Sequence, residues 1–186
     1  VKRATALHHL RTLYQRLDSV DLETFPVIPI RMYVFGSVLS DKPAPENIDL
    51  LFEYENRPDV DPMEMLHAMM YGRPLPPERA VIELRRGMKK VDISFLSGTV
   101  SAWLENHFFP PDTAIRLFWE KGRDWTAVID EIEHCPLPWD QEKENLYHFQ
   151  QDELQRIINE QGKEAGIKWI KEVSGYNLRK GLPQEP

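Results

Sequence analysis

The chain has 186 residues, 41% of them hydrophobic and 28% charged, which suits one ordinary domain with a modest appendage. Five Trp, eight Phe and six Tyr supply a core and exclude global disorder; no apolar run approaches the ~20 residues of a membrane-crossing helix, and no charged-then-apolar signal segment opens the sequence. A single cysteine, Cys135, excludes an intrachain disulfide or a CxxC metal cage and predicts a cytoplasmic setting, while 23 basic against 30 acidic residues, net −7, argue against a general nucleic-acid binder.

In chain order, residues 1–17 carry Leu7, Leu10, Leu13, Tyr14 and Leu17 at helical spacing and predict an amphipathic helix. A connection with Pro26 and Pro29 leads to IRMYVFGS, a short buried strand ending at a glycine. A polar loop, VLSDKPAPEN, precedes a second strand, IDLLFEYE. Helical spacing returns in DPMEMLHAMMYG and breaks at GRPLPPE. AVIELRRGMKKVDISFL reads as two β-type runs in a hairpin around Arg86-Gly87-Met88. Beyond Gly98, SAWLENHFF, TAIRLFWEK, WTAVIDEIEH and ENLYHFQQDELQRIINEQ all have a helical period, and SGYNLRKGLPQEP reads as a loose tail. Charge divides along the same line: residues 1–100 hold 13 basic and 14 acidic groups, residues 101–186 hold 10 and 16. The expected fold is α/β (α+β), a small mixed sheet with flanking helices over residues 1–97. A helical part packed on it follows over 98–174, and residues 175–186 form the tail.

The chemistry concentrates in YVFGSVLSDKPAPENIDLLFEY. A glycine at a strand exit, Gly36, lets the backbone turn and approach a ligand closely, and Ser37 with the amides after it can present donors to a phosphate. Asp49 interrupts the second strand and Asp92 a later one, where strands disfavour aspartate. Carboxylates on neighbouring strands can hold Mg²⁺, which takes oxygen ligands and shares them with substrate phosphates. The plainer alternatives are a simple turn at Gly36-Ser37, solvent-facing acids at 49 and 92, and a turn residue at Asn47. Arg85, Arg86, Lys89 and Lys90 read first as a solvated hairpin tip and second as a phosphate contact. His8-His9 has no HxxxH partner, and His134-Cys135 has no positioned base, so both read as structural. Trp103, Phe108, Phe109, Phe118, Trp119 and Trp125 read as the packing surface of the helical half.

VFGS at 34–37, a nine-residue loop, NIDLL at 47–51 and VDISF at 91–95 together resemble the polymerase β-type nucleotidyltransferase superfamily, in particular its small bacterial members. The likeness spans residues 25–97. It implies Mg²⁺-dependent transfer of a nucleoside monophosphate from an NTP to an acceptor. Asp49 and Asp92 would be the catalytic and metal-binding acids, and Gly36 and Ser37 the nucleotide-binding pair. The sequence departs from the pattern at Asn47, where the family carries its first metal-binding carboxylate, so Asn47 is a candidate ligand only through its uncharged amide. Glu46 next to it would face the other way on a regular strand. The alternative expectation is a catalytically degraded nucleotidyltransferase fold serving as a nucleotide- or protein-binding module, antitoxin-like, with the acidic helical half as a protein-partner surface.

Overall fold

The computed structural model describes residues 1–100, 102, 103, 113–170 and 172. The chain divides into two compact units, Val1–Ser97 with Ala114–Trp139, and Gly98–Thr113 with Asp140–Pro186. The first is a mixed α/β structure built on a four-stranded sheet flanked by helices.

In that unit, α1 (Arg3–Asp18) buries Ala6, Leu7, Leu10, Leu13 and Leu17, a single stripe at helical spacing. The strands are β1 (Ile28–Phe35), β2 (Ile48–Glu55), β3 (Val91–Phe95) and β4 (Ile115–Glu120), in spatial order β3-β2-β1-β4. β1 runs antiparallel to both of its neighbours, and β2 pairs with β3 in parallel. The β1–β2 register slips between Pro29 and Arg31, where proline has no N–H to give the ladder. Arg31 joins three strands, its Nε donating to Glu120 on β4 at 2.8 Å and its Nη1 to Glu53 on β2 at 3.4 Å. The core gathers the α1 stripe with Met32, Val34, Ile48, Leu50, Phe52, Val91, Phe118 and Ile132. At about 1.5–3 kcal/mol for each large side chain fully buried, this one cluster is the main source of stability.

Two expectations are corrected here. The hairpin around Arg86-Gly87-Met88 is a helix, a loop and a strand: α3 (Pro76–Leu84) precedes β3. Ala80, Val81 and Leu84 bury one helical face, Pro76 starts the helix, and Glu78 accepts from the Leu75 N–H at 2.8 Å. Parallel strands need a crossover, which α2 (Pro62–Met70) and α3 provide and a hairpin cannot. TAIRLFWEK, read as helical, contains β4. Its aromatic and branched side chains answer the open edge of β1, placing Trp119 opposite Met32 and Leu117 opposite Tyr33. The sheet therefore takes a strand, and then helix α4 (Thr126–His134), from the stretch beyond residue 98.

In the second unit, α5 (Gln141–Gln161) buries Leu154 and Ile157, and a further helical run over 163–170 buries Ile170. Gly166 sits close against α5: a Cβ there would lie 2.6 Å from Ile158 Cγ1. Most of SAWLENHFF, with Phe108 and Phe109, and the tail 175–186 lie outside the described residues. Among the described residues no helix is long and apolar enough to cross a membrane.

Candidate functional site

β1 ends at Phe35, which pairs with Asp49 across the antiparallel ladder. The chain then turns at Gly36, φ +77°, into a short 3-10 helix, Gly36–Leu39. A side chain at Gly36 would be strained by that φ, and its Cβ would lie 3.1 Å from Asp49 Oδ2. The glycine thus gives both the turn and the space beside the acid. The loop that follows is held from behind by α1. Arg3 Nη1 donates to the carbonyl oxygens of Val38 (3.2 Å) and Ser40, and its backbone N–H donates to the Pro43 oxygen at 3.1 Å. Ser40 closes the turn, its Oγ donating to the Ser37 carbonyl at 2.8 Å. The helix here is only four residues long, so Ser37 stands at the start of one tight turn rather than of a full helix.

Asp49 and Asp92 are direct partners in the parallel β2–β3 register. Alternation along each strand turns them away from the core residues Ile48, Leu50 and Val91 and onto the other sheet face. Asn47 lies two residues before Asp49 and shares its face. Its Nδ2 donates to Asp49 Oδ1 at 2.7 Å and to Asp92 Oδ2 at 3.0 Å. One amide therefore bridges both acids, in the position a cation would take. Burial pushes the Asp49 carboxyl up to about 6, with the charges of Asp92 and then Glu46 adding to it. The donation from Asn47 favours the ionised form and works against that rise. Glu46 precedes the first residue of β2, so strand alternation does not dictate where its side chain goes; it is also paired with Lys42 at 3.6 Å.

The structure thus brings Gly36, Asn47, Asp49 and Asp92 to one corner of the sheet, with Ser37 on the adjoining turn. By its sequence position Glu46 faces away from Asn47 unless the strand starts irregularly; in the structure it lies before β2, and its charge acts on Asp49. Sequence reasoning missed Arg3, whose only signal was a basic residue at the start of an otherwise ordinary amphipathic helix. Arg85, Arg86, Lys89 and Lys90 lie not on a hairpin tip but around the α3–β3 loop, where Arg85 caps α3 and the Lys90 carbonyl accepts from the Ile48 N–H at 2.9 Å. Cys135 is an exposed free thiol.

An oxygen-ligand cation fits this corner. Two carboxylate oxygens converge on one point, burial and then the charge of Asp92 make Asp49 costly to ionise without a counter-charge, and Asn47 can offer its Oδ1 by rotating the amide. The fit is to a single ion, since two carboxylates, not three, face the point. Comparison with known protein-family models and with curated proteins finds no match to this chain.

Proposed function

We propose that this protein is nucleotidyltransferase-like and binds an NTP with Mg²⁺ at the corner formed by Gly36, Asn47, Asp49 and Asp92. One observation carries the reading: two aspartates in direct register on neighbouring parallel strands, beside a left-handed glycine whose bare Cα leaves Asp49 approachable. Asp49 and Asp92 hold the ion, Gly36 and Ser37 receive the triphosphate, and Asn47 turns its amide oxygen inward. Bound there, Mg²⁺ neutralises phosphate charge. The transfer joins an acceptor hydroxyl oxygen to the α-phosphorus and breaks the α–β anhydride bond, releasing pyrophosphate. The more exposed carboxylate, Asp92, orients that hydroxyl and takes its proton.

The bridging amide of Asn47 favours a second reading. A donor already shared between the acids relieves their repulsion without a metal, as suits a degraded enzyme that works as a binding module, with its acidic helical half available to a protein partner. Calorimetric titration with Mg²⁺ and each NTP, run beside an assay for pyrophosphate release, separates the two. Binding with release supports transfer, and binding without release supports the module. Absence of Mg²⁺–NTP binding overturns the nucleotide reading altogether.

A further inference from the structure

Helix α2 (Pro62–Met70) is the most apolar helix of the first unit, yet none of its side chains described here is buried. Met63, Leu66, Met69, Met70 and the following Tyr71 are between 48% and 71% exposed. A nine-residue helix does not persist on its own in water; packing of an apolar face normally holds it. Its caps are in order: Asp61 accepts from the Met63 N–H at 2.9 Å, Pro62 occupies the first turn, and the Tyr71 N–H reaches the His67 oxygen at 3.0 Å. The helix is well made at both ends; Met65 and Ala68 are half-buried, while Met63, Leu66, Met69 and Met70 lie open.

We propose that α2 is a self-association surface, pairing antiparallel with α2 of a second copy of this chain about a two-fold axis. One stripe within the exposed face, flanked by Met69 and Tyr71, points to a second copy. Met63, Leu66, His67 and Met70 are spaced 3, 1 and 3 residues apart. That spacing reads the same in both directions, so reversing the helix lays the set onto itself, as a two-fold interface requires. The same operation matches Met63 with Met70 and Leu66 with His67, a short seam of coiled-coil type. It brings Tyr71 level with Pro62 of the second copy, a flat ring against a flat ring, with His67 already edge-on to Tyr71 at 6.3 Å between centroids.

Charge agrees with this pairing. The chain entering α2 carries Asp61, with Asp59 already paired to Arg57 at 2.9 Å, and the chain leaving it carries Arg73. Antiparallel pairing sets each acidic end beside the basic end of the other copy, whereas parallel pairing would set like against like. A single nine-residue helix from each copy covers less than the ~800 Å² that each partner buries in a standard interface. The dimer is therefore a reversible one, and methionine suits such a surface because its flexible thioether fills an imperfect seam.

The test uses the full chain. Sedimentation of the wild type should show a dimer at about 50 µM that dissociates on dilution, as expected for an interface at the small end of the range. Leu66→Glu combined with Met70→Glu should be monomeric at the same concentration with unchanged far-UV circular dichroism, because both side chains are exposed in the single chain. A cysteine pair of variants then reads the geometry, in a Cys135→Ser background that removes the exposed native thiol. Leu66→Cys, near the two-fold axis, should form a covalent dimer on mild oxidation. Met63→Cys should not, since its two copies lie about 10 Å apart along the helix axis at 1.5 Å per residue. A wild type that stays monomeric at about 100 µM, a double variant that still dimerises, or equal crosslinking at both positions would each overturn the proposal.

Discussion

Asn47→Asp puts the bridging amide to the sharpest test. The parent amide gives two hydrogen bonds, at 2.7 and 3.0 Å, to a pair of carboxylates. The substitution removes both donors and adds a third carboxylate in their place. Each bond to a charged group is worth about 1.5–3 kcal/mol, and two unit charges 4 Å apart repel by about 4 kcal/mol at an effective dielectric of 20. Solvent around Asp92 screens part of this, and proton uptake limits the rest. With Asp49 already titrating at about 6, a further carboxylate pushes one acid of the group to hold a proton near neutrality. A loss of about 2–3 kcal/mol at pH 7.5 without metal is the expected result, seen as a fall of roughly 5–10 °C in melting temperature for a protein of this size. The deficit should shrink below pH 6, where Asp49 is protonated. It should also shrink in 10 mM MgCl₂: a ligand present at about 100 times its Kd, and bound only by the folded state, returns about 2.7 kcal/mol. Differential scanning calorimetry across pH and MgCl₂ concentration measures all three effects. If the variant melts with the parent at pH 7.5 without metal, the amide does not bridge the acids. If Mg²⁺ shifts neither protein, the corner is not a cation site.

Asp49→Asn should abolish Mg²⁺-dependent NTP binding in calorimetry, and should also change how stability depends on pH. A carboxyl whose folded pKa is raised from 3.8 to about 6 costs stability when ionised, and that cost is relieved as pH falls from 6 towards 3.8. The parent should therefore gain up to about 3 kcal/mol more than Asp49→Asn over that window, and denaturant titrations at pH 7 and pH 4.5 compare the two. Gly36→Ala should destabilise by about 1–2 kcal/mol through the positive φ and should weaken NTP binding more than it lowers stability, because its Cβ crowds Asp49 Oδ2; paired melting and binding curves check this. A fragment ending at residue 97 should be molten or insoluble, since it lacks β4 and α4 and with them Phe118, Trp119, Ile129 and Ile132 of the core. A cooperative unfolding transition in that fragment would refute the assignment of 114–139 to the first unit.

The elements legible in the sequence were those whose burial follows one period. The α1 stripe is regular, and IRMYVF and IDLLFEY are dense enough in branched and aromatic residues to be strands on any reading. AVIEL was not legible, because five mostly apolar residues fit a buried strand as well as a helix. What decides between them is Pro76 and the Glu78 cap, together with the need to cross over between parallel strands. TAIRLFWEK failed for the opposite reason. Its spacing suits a helix, and only the open edge of β1, a distant part of the chain, selects the strand. The site was legible in composition but not in arrangement. Asp49 and Asp92 are 43 residues apart, and nothing local says that they pair in register. The role of Asn47 follows from that register, since only a neighbouring strand supplies the second acid its amide reaches.

The sheet that carries this corner is completed late. β1 ends at residue 35, and its second neighbour, β4, begins at residue 115. On a ribosome adding about 5–20 residues per second, roughly 4–16 s separate the two. For that interval a strand rich in Met, Tyr, Val and Phe has one hydrogen-bonding edge open to any other nascent chain, the kind of edge that finished proteins cover or charge. Folding yield should therefore depend on when β4 emerges. Slowing synthesis between residues 36 and 114 should raise the aggregated fraction at fixed protein output, whereas slowing it after residue 120 should not.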